Sequence, residues 1–288
     1  HEPDPAFPTA PFPNPEEPGT LDLAFALADQ VDADLVLAHD PDAARLAVAL
    51  RRGDDWTRLT GDEIGILLGD YLLRKTEGPR AVVTTIVSSS LLAKLAATHG
   101  VEAFTVLTGF KWLANAAAEH PELHFVLGYE EALGYSVDLS IRDKDGLSAA
   151  LVVAEIASEL FTHGQSLDDA LDRIFAEHGV HVSGQVSKWF EGDDAMQQMT
   201  ALMDSLRDNP PQSVGEAVVV ATRDLIGGDD LPPSDVLVYT LDGGRLIVRP
   251  SGTEPKVKAY VEAVAPTRSE ADERLEQLLA GAKNVIQA

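Results

Sequence analysis

The sequence predicts an α/β protein with two mixed α/β domains of sheets and helices, the first incomplete, and a C-terminal α+β domain with an antiparallel sheet. Between residues 60 and 130, short β-rich apolar runs alternate with helical patterns, as in layered α/β domains. After Gly179 several strand patterns follow one another, and Asp242-Gly243-Gly244 is typical of a hairpin turn. A chain of 288 residues, 45% of them hydrophobic, is long enough for two or three such domains.

The elements before residue 179 follow from local patterns. Residues 1–19 are proline-rich and irregular, and apolar residues at helical spacing then predict a helix over 21–30. Thr60 and Glu63 predict a capping box that starts a helix ending near Arg74. The other predicted elements are strands over 34–38, up to Leu50, and over 81–85, 102–106 and 123–127, a hairpin tip or linker over 51–56, and helices over 88–99, 108–119, 146–162 and 166–177.

After Gly179 the pattern predicts mainly strands, with two helices. The first helix, over 193–207, is amphipathic, and the last carries its apolar residues on one side. Those residues of the last helix are Ala271, Leu275, Leu278, Leu279, Ala282 and Ile286. The predicted strands cover 180–190, 217–221, 236–241, 245–248 and 257–264.

Composition excludes several classes of function. The 47 acidic and 22 basic residues give a formal charge of -25, which argues against nonspecific nucleic-acid binding. No apolar run approaches the roughly 20 residues that span a bilayer, so we expect no membrane partner. The absence of cysteine excludes disulfides, thiolate metal sites and a cysteine nucleophile, and it fits a cytoplasmic location.

The segment from Arg249 to Lys256 has the composition of a phosphate site. It reads Arg-Pro-Ser-Gly-Thr-Glu-Pro-Lys and combines two cations, two hydroxyls and a glycine in eight residues. A guanidinium binds phosphate in a bidentate manner, and glycine leaves backbone N–H groups accessible. On so acidic a chain, a dense cationic loop indicates an anionic ligand.

Two acidic loops follow predicted strands. Asp40-Pro41-Asp42 follows a buried strand, where open α/β sheets usually bind ligands, and alternate carboxylates suit a hard cation such as Mg²⁺. A plain turn explains this pair equally well. Glu130-Glu131 follows another strand and suits sugar hydroxyls, although a solvated loop is the alternative.

Three further polar segments leave alternatives open. Thr108-Gly109-Phe110-Lys111 lies at a strand-to-helix junction, where Thr108 could simply cap the helix. Ser88-Ser89-Ser90 favours capping over a nucleophile, because no partner histidine is evident. Arg142 and Lys144 precede a helix N-terminus, a combination that suits an anion.

Four of these features, taken in order along the chain, resemble the α-D-phosphohexomutase superfamily, most closely its phosphoglucomutase/phosphomannomutase branch. They are the Asp-x-Asp loop at 40–42, the Thr-Gly-x-Lys turn at 108–111, the Glu-Glu loop at 130–131 with the following Arg-x-Lys at 142–144, and the Arg249–Lys256 loop. The resemblance covers essentially the whole chain, including Phe7-Pro8-Thr9 and the segment 13–17. It implies that residues 1–58 are the second half of domain II with the metal loop, 59–178 domain III with the sugar loop, and 179–288 domain IV with the phosphate loop.

The resemblance also implies an activity, that of an intramolecular phosphotransferase, an isomerase. Such an enzyme interconverts hexose 1-phosphate and hexose 6-phosphate, of glucose or mannose, through a phosphoserine and a bisphosphorylated sugar. Mg²⁺ is the implied metal, glucose 1,6-bisphosphate the implied intermediate or activator, and a phosphosugar the implied partner.

Residue roles carry over by position. Asp40 and Asp42 resemble metal ligands, and Arg45 resembles the arginine facing the transferring phosphoryl group. Lys111 is assigned with Arg45 to catalysis, at the reaction end of the sugar. The residues that resemble substrate-binding positions are Thr108, Gly109, Glu130, Lys144, Arg249, Ser251, Gly252, Thr253 and Lys256.

Three departures from the family pattern affect these expectations. Ala44 replaces the family's third metal aspartate, so we expect weakened Mg²⁺ binding. Ala132 stands where many members have serine. No Ser-His-Asn nucleophile loop occurs in this sequence, and its opening, His1-Glu2-Pro3, reads like the middle of a loop. We therefore expect a fragment that lacks the N-terminal phosphoserine domain and is inactive alone.

Two other classes of function fit parts of the sequence. A noncatalytic sugar-phosphate-binding protein fits Ala44 and the absent serine loop. A metal-dependent phosphatase that uses Asp40 as nucleophile fits the Asp-x-Asp pair, but it leaves the Arg249 and Glu130 loops unexplained.

Overall fold

The computed structural model describes residues 4–138 and 141–287, so the opening His1-Glu2-Pro3 lies outside the described residues. The chain divides into two compact units, residues 1–173 and 174–288. Helix α6, Leu167–His178, carries the boundary between them. In the part of the chain that is described, no helix is long and apolar enough to cross a membrane.

The first unit begins with a helix and a small antiparallel sheet. These are α1 (Asp22–Val31), β1 (Leu35–His39), β2 (Leu46–Arg52) and β3 (Asp55–Arg58). The strands lie in the order β1-β2-β3, and Leu35 pairs with Leu50. Strand β2 is buried from Leu46 to Leu50, whereas β1 lies at the edge and is half-buried throughout.

A four-stranded mixed sheet forms the rest of the first unit. Its elements are α2 (Gly61–Lys75), β4 (Arg80–Thr85), α3 (Leu91–Thr98), β5 (Glu102–Val106), α4 (Phe110–Glu119), β6 (His124–Glu130), β7 (Gly134–Ser136) and α5 (Gly146–Thr162). The strand order is β5-β4-β6-β7; the first three strands are parallel and β7 is antiparallel to β6. The three parallel strands therefore end at one edge, which positions the loops that follow them.

Local sequence explains where α2 begins and which face of α4 packs against the sheet. Thr60 and Glu63 form the predicted capping box, in which Glu63 N donates to Thr60 Oγ1 at 3.1 Å and Thr60 N donates to Glu63 Oε2 at 2.9 Å. Helix α4 buries Phe110 and Leu113 against Val83 of β4. Burial of such side chains contributes about 1.5–3 kcal/mol each, which holds the helices against the sheet.

The second unit is built around one antiparallel sheet. Its elements after α6 are β8 (Val180–Trp189), α7 (Ala195–Asp208), β9 (Ser213–Val214), β10 (Ala217–Asp224), β11 (Leu237–Leu241), β12 (Gly244–Pro250), β13 (Lys256–Ala265) and α8 (Arg268–Gln287). The strand order is β8-β13-β12-β11-β10-β9, as the predicted α+β class requires. Leu279 of α8 packs over Gly184 of β8, where an added Cβ would lie 3.2 Å from the leucine side chain.

Most predicted elements are confirmed within a few residues, and the differences have local causes. Helix α3 begins at Leu91 rather than at residue 88, because the Ser88 side chain bonds to the loop after β6 and Ser88 N bonds to Thr85 O. Strands β7 and β9 were not predicted, since three and two residues are too few to show an alternating pattern. Strand β3 was not predicted either; residues 51–56, predicted as a hairpin tip or linker, contain the end of β2 and the start of β3.

Candidate functional site

The loops that follow the parallel strands converge at one edge of the mixed sheet. The turn after β4 carries Ser88, the turn after β5 carries Thr108 and Gly109, and the end of β6 carries Glu130. Because carboxyl ends of parallel strands share an edge, three segments far apart in sequence become neighbours here. Two of the predicted loops thus belong to one surface of the first unit.

Glu130 and Gly109 are joined directly. Gly109 N donates to Glu130 Oε1 at 2.7 Å. Gly109 is the N-cap of α4 and has φ 111°, a conformation that glycine adopts easily, so the N-cap residue itself has no side chain to cap the helix. The alternative reading of Thr108 as the capping residue is therefore wrong; a carboxylate from another strand binds the first turn instead.

Glu131 turns toward the protein interior. Glu131 Oε2 accepts a hydrogen bond from Ser88 Oγ at 3.0 Å, and the backbone N of Glu131 donates to Ser88 Oγ at 3.1 Å. Burial, together with the negative charge of Asp62, raises the pKa of Glu131 to about 7. The adjacent carboxylates thus differ: Glu130 reaches the turn before α4, and Glu131 holds the loop to the turn after β4.

The Asp40–Arg45 loop folds back on itself. Asp40 Oδ1 accepts from Arg45 N at 2.8 Å, and Asp42 Oδ1 accepts from Ala44 N at 3.3 Å. Ala43 has φ 56°, in the left-handed region that is uncommon for alanine. His39 Nδ1 bonds to Arg45 O at 2.8 Å, which closes the loop at its base.

Backbone contacts attach this loop to the segment after Glu130. Arg45 forms an isolated antiparallel bridge with Gly134, and Leu46 N donates to Leu133 O at 3.1 Å. Gly146 N, at the start of α5, donates to Ala43 O at 3.0 Å. A Cβ on Gly146 would lie 2.4 Å from Arg45 O, so only glycine permits this approach. The Asp40–Arg45 loop and the segment after Glu130 are therefore joined through main-chain atoms.

The lysines lie beside this surface. Lys144 Nζ lies 3.2 Å from Asp143 Oδ1 and 5.6 Å from the centre of the Phe110 ring, next to Gly109. Lys111 is exposed, with Nζ 5.2 Å from the centre of the Trp112 ring. Among the predicted site residues of the first unit, direct contacts join Gly109 to Glu130, Arg45 to Gly134 in the segment after Glu130, and Lys144 to Phe110 beside Gly109. Within the described residues, Asp42 and Lys111 make such contacts only with their own sequence neighbours Ala44 and Trp112.

Asp40 and Asp42 are the candidate metal ligands. Asp40 Oδ2 also lies 3.7 Å from Arg45 Nε, and Ala44 supplies no side-chain oxygen. Within residues 4–138 and 141–287, no group of three or more His, Cys, Asp or Glu could hold a metal ion. The donors therefore fit Mg²⁺ only as a two-carboxylate site that water and phosphate oxygens complete.

The Arg249–Lys256 loop lies in the second unit, between β12 and β13. Ser251 N donates to Lys256 O at 2.8 Å, and Thr253 N donates to Ser251 Oγ at 3.4 Å. Lys256 Nζ lies 2.5 Å from Glu254 Oε2 and 4.3 Å from the centre of the Trp189 ring. The loop is thus a hairpin connection with its own internal hydrogen bonds.

Arg249 and Gly252 have environments that suit a ligand site. Arg249 is half-buried opposite Lys258 on β13, and among the described residues no carboxylate pairs with it. A Cβ on Gly252 would meet nothing within 4 Å, and its φ is not positive. Neither strain nor packing explains the glycine, which leaves access to its backbone as its physical effect.

Sequence reasoning missed several residues that build the first-unit surface. Glu131 and Ser88 support the loop, and the glycines at 61 and 146 allow close approach of neighbouring backbone. Glu130 and Glu131 are both half-buried and differ in their hydrogen-bond partners, a difference without a sequence signature because the two residues are identical neighbours. The position of Gly61 at the start of a capped helix was visible, but its contact with residue 131 was not.

Three domain models of one family match the chain. Residues 1–53 match the phosphoglucomutase/phosphomannomutase α/β/α domain II, residues 60–178 match α/β/α domain III, and residues 191–280 match the C-terminal domain. The chain belongs to the phosphoglucomutase/phosphomannomutase family. Together the three matches cover most of the chain and include every loop described above.

Relatives within this family bear different substrate names. A probable phosphomannomutase of Haemophilus influenzae is 40% identical over 99% of this chain and 57% of its own length. The human phosphopentomutase is 38% identical over 96% of this chain and 50% of its own length. The chain therefore spans about half the length of the curated relatives it matches.

The fold is also that of a solved structure. Parafusin, a phosphoglucomutase from Paramecium in an open form, superposes with a TM-score of 0.69 at 19% identity, over 96% of this chain and 50% of that one. At this identity the likeness concerns the fold. Mutase is the activity that the names of all three proteins share.

Proposed function

We propose that this chain carries the sugar- and phosphate-binding part of a phosphohexomutase-type enzyme that interconverts hexose 1-phosphate and hexose 6-phosphate, an isomerase acting by intramolecular phosphoryl transfer. The observation that carries the proposal is the joining of the Asp40, Thr108 and Glu130 loops in one unit, through Gly109 N on Glu130 Oε1 at 2.7 Å and the bridge between Arg45 and Gly134. These are the loops whose residue types suit a metal, a sugar and a phosphoryl group.

Each group has a role that its chemistry supports. Glu130 accepts hydrogen bonds from sugar hydroxyls, while Thr108 and Gly109 bound the sugar at the same turn. Arg45 and Lys111 place positive charge near the transferring phosphoryl group, and Lys144 adds a cation from the start of α5. In the second unit, Arg249, Ser251, Gly252, Thr253 and Lys256 bind the phosphate that does not react.

Asp40 and Asp42 would hold Mg²⁺, which when bound neutralises negative charge on a phosphoryl group. Arg45, whose N–H already orients Asp40, keeps its guanidinium beside this carboxylate at 3.7 Å. The chain itself therefore supplies two carboxylates and one guanidinium around the place where phosphoryl charge has to be balanced.

The phosphoryl donor of the proposed reaction is a phosphoserine supplied by an N-terminal domain, and glucose 1,6-bisphosphate is the intermediate or activator. The chain on its own is proposed to be inactive in turnover. Glucose, mannose and pentose phosphates are all candidate substrates, because the relatives' names divide among them. The proposed location is cytoplasmic, without a nucleic-acid or membrane partner.

Calorimetric titration of the chain with glucose 1,6-bisphosphate and with the 1-phosphates of glucose, mannose and ribose tests the proposal. We expect saturable binding, and we expect Arg249→Ala to weaken it by about tenfold or more, as loss of a charge-assisted hydrogen bond does. Lys283→Ala, at an exposed site of the same unit, is the matched loss of charge and leaves binding unchanged. An absence of saturable binding, or equal affinity in Arg249→Ala, would refute the phosphosugar assignment.

A second candidate is a noncatalytic sugar-phosphate-binding protein, which Ala44 favours because it leaves two carboxylates in the metal loop. Supplying the N-terminal half of a phosphoglucomutase relative, with its phosphoserine, separates the two. Restored mutase turnover supports the enzyme, whereas phosphosugar binding without turnover supports the binding protein.

A further inference from the structure

The loop after β6 is anchored on its inner side by Glu131. Its Oε2 accepts hydrogen bonds from Ser88 Oγ at 3.0 Å and from Thr85 Oγ1 at 3.4 Å. Its backbone N donates to Ser88 Oγ at 3.1 Å, and the two hydroxyls lie 2.8 Å apart. One residue therefore holds the loop to the end of β4 through both its main chain and its side chain.

The start of α2 encloses the same residue from another direction. A Cβ on Gly61 would lie 1.8 Å from Glu131 O, so the helix backbone lies directly against the loop backbone. Asp62, next along α2, is buried and accepts hydrogen bonds from Ser89 N at 2.7 Å and from Tyr129 Oη at 3.0 Å. The turn after β4, the end of β6 and the first turn of α2 thus pack against one another.

Glu130, the adjacent residue, faces the turn before α4. Its Oε1 is the acceptor for Gly109 N at 2.7 Å. On the other side of Glu131, Leu133 has φ 62°, a strained conformation that shapes the loop before β7. A shift of the Glu131 backbone would therefore move the Glu130 carboxylate away from the Gly109 amide.

We propose that Glu131 is a positioning residue: by binding Ser88 and Thr85 it holds the Glu130 carboxylate on the Gly109 amide and fixes the 108–111 turn. Glu131 acts through Glu130 and does not itself contact a ligand. Its consequence for sugar binding rests on the proposed function, whereas the placement of Glu130 does not.

The charged and titratable groups around Glu131 come from three elements. Asp62 faces it from α2, Glu130 is its neighbour on β6, and the buried Tyr135 faces it from β7. Arg58 and Glu16 in turn act on Tyr135 electrostatically. The nearest charges are negative and the site is buried, so the carboxyl that holds the loop changes protonation near neutral pH.

Amide hydrogen exchange at Gly109, measured by NMR on the whole chain without ligand, tests the positioning role. The amide of Glu63, which donates to Thr60 Oγ1 in the capping box of the same unit, serves as internal reference. We expect Glu131→Ala and Ser88→Ala to speed exchange at Gly109 about tenfold relative to Glu63, since one hydrogen bond is lost. Glu131→Gln, which keeps an acceptor for Ser88, retains most of the protection.

The control is Glu122→Ala, which removes an exposed carboxylate of the same unit and leaves Gly109 exchange unchanged. In the native chain the Gly109 amide shift follows a titration near pH 7, which Glu131→Gln abolishes. An unchanged ratio of Gly109 to Glu63 exchange in Glu131→Ala overturns the proposal. If that variant does not fold, an unchanged ratio in Ser88→Ala overturns it instead.

The outcome is separable from that of the proposed function. Faster Gly109 exchange without any phosphosugar binding by the native chain supports the positioning role and refutes the phosphosugar assignment. Phosphosugar binding together with unchanged exchange does the reverse.

Discussion

The candidate loops of the first unit and the Arg249–Lys256 loop of the second unit are held in place by different kinds of contact. In the first unit, the loops at residues 39–46, 107–111 and 130–134 are attached to one another by a backbone bridge, by main-chain hydrogen bonds and by the half-buried Glu130 side chain. In the second unit, the Arg249–Lys256 loop connects adjacent strands of one hairpin and is bonded chiefly to itself. The first surface depends on tertiary packing, whereas the second follows from a local turn.

The two kinds of contact predict different effects of substitution in the two units. In the first unit, contacts between loops from distant parts of the chain position the carboxylates. A small change in the backbone of one loop therefore displaces the carboxylates of its neighbours. Where a single hairpin presents the groups, a side chain can change without moving its neighbours. Substitutions at the contacts between loops of the first unit should therefore affect folding, whereas substitutions in the hairpin of the second unit should leave folding nearly unchanged.

The largest expected effect is the loss of stability when a methyl group is added at Gly61 in the first unit, compared with the same change at Gly252 in the hairpin. Gly61→Ala should destabilise the protein by about 2–4 kcal/mol, because its Cβ would lie 1.8 Å from Glu131 O and backbone cannot yield cheaply. Gly252→Ala is the matched control in the hairpin; its Cβ meets nothing within 4 Å, so the free energy of unfolding should change by less than about 1 kcal/mol. Urea denaturation followed by circular dichroism measures both, and equal effects would contradict the comparison.

The next effect concerns the buried carboxyl of the first unit. The pKa of Glu131 rises from 4.5 to about 7 on folding, so the folded state holds a proton that the unfolded state releases between these values. Glu131 should therefore add stability that is full below pH 4.5 and lost as the pH rises through 7. The loss is about 1–3 kcal/mol.

Glu131→Gln removes this titration and should flatten the stability difference between pH 4.5 and 8. The free energy of unfolding of both proteins, measured by urea denaturation at several pH values, gives that difference directly. Parallel pH profiles for the two proteins would show that Glu131 titrates normally. Glu122→Gln, at an exposed site, provides the comparison in which the profile stays unchanged.

The smallest expected effect is chemical rather than structural. Ala44→Asp adds a third carboxylate to the loop of Asp40 and Asp42, and we expect Mg²⁺ affinity to rise by about tenfold, because the ion gains an anionic oxygen ligand. Calorimetric Mg²⁺ titration measures the change, and Ala44→Asn, which adds an oxygen without charge, should give a smaller rise in Mg²⁺ affinity.

The stability of Ala44→Asp without metal should change by less than about 1 kcal/mol, since the backbone contacts of this loop do not use the Ala44 side chain. Equal Mg²⁺ affinity in all three proteins would contradict the assignment of this loop to metal binding.

Most of the fold could be predicted from local sequence. The Thr60–Glu63 capping box and the exact span of α5 were predicted because each depends on residues close in sequence. The start of α3 was misplaced by three residues, since Ser88 is bound by Glu131 on another strand. Short strands such as β7 form because a neighbour pairs with them, so their own residues carry no signal.

The candidate site divides in the same way. By itself the sequence determined which residue types stand in each loop, the order of the loops and, through them, the family resemblance. It also predicted the Arg249–Lys256 segment as an anion-binding loop; the structure places that segment within one hairpin, and the ligand stays a prediction. The three proposed domains at 1–58, 59–178 and 179–288 remain a prediction beside the two compact units.

Only the tertiary structure decided which loops meet and which carboxylate does what. Glu130 and Glu131 are chemically identical and adjacent, yet one binds the Gly109 amide and the other is enclosed by Ser88, Thr85 and the start of α2. Their partners lie 21 to 70 residues away in sequence. Parallel strands bring such partners to one edge of a sheet, and that arrangement depends on contacts between segments that no local pattern records.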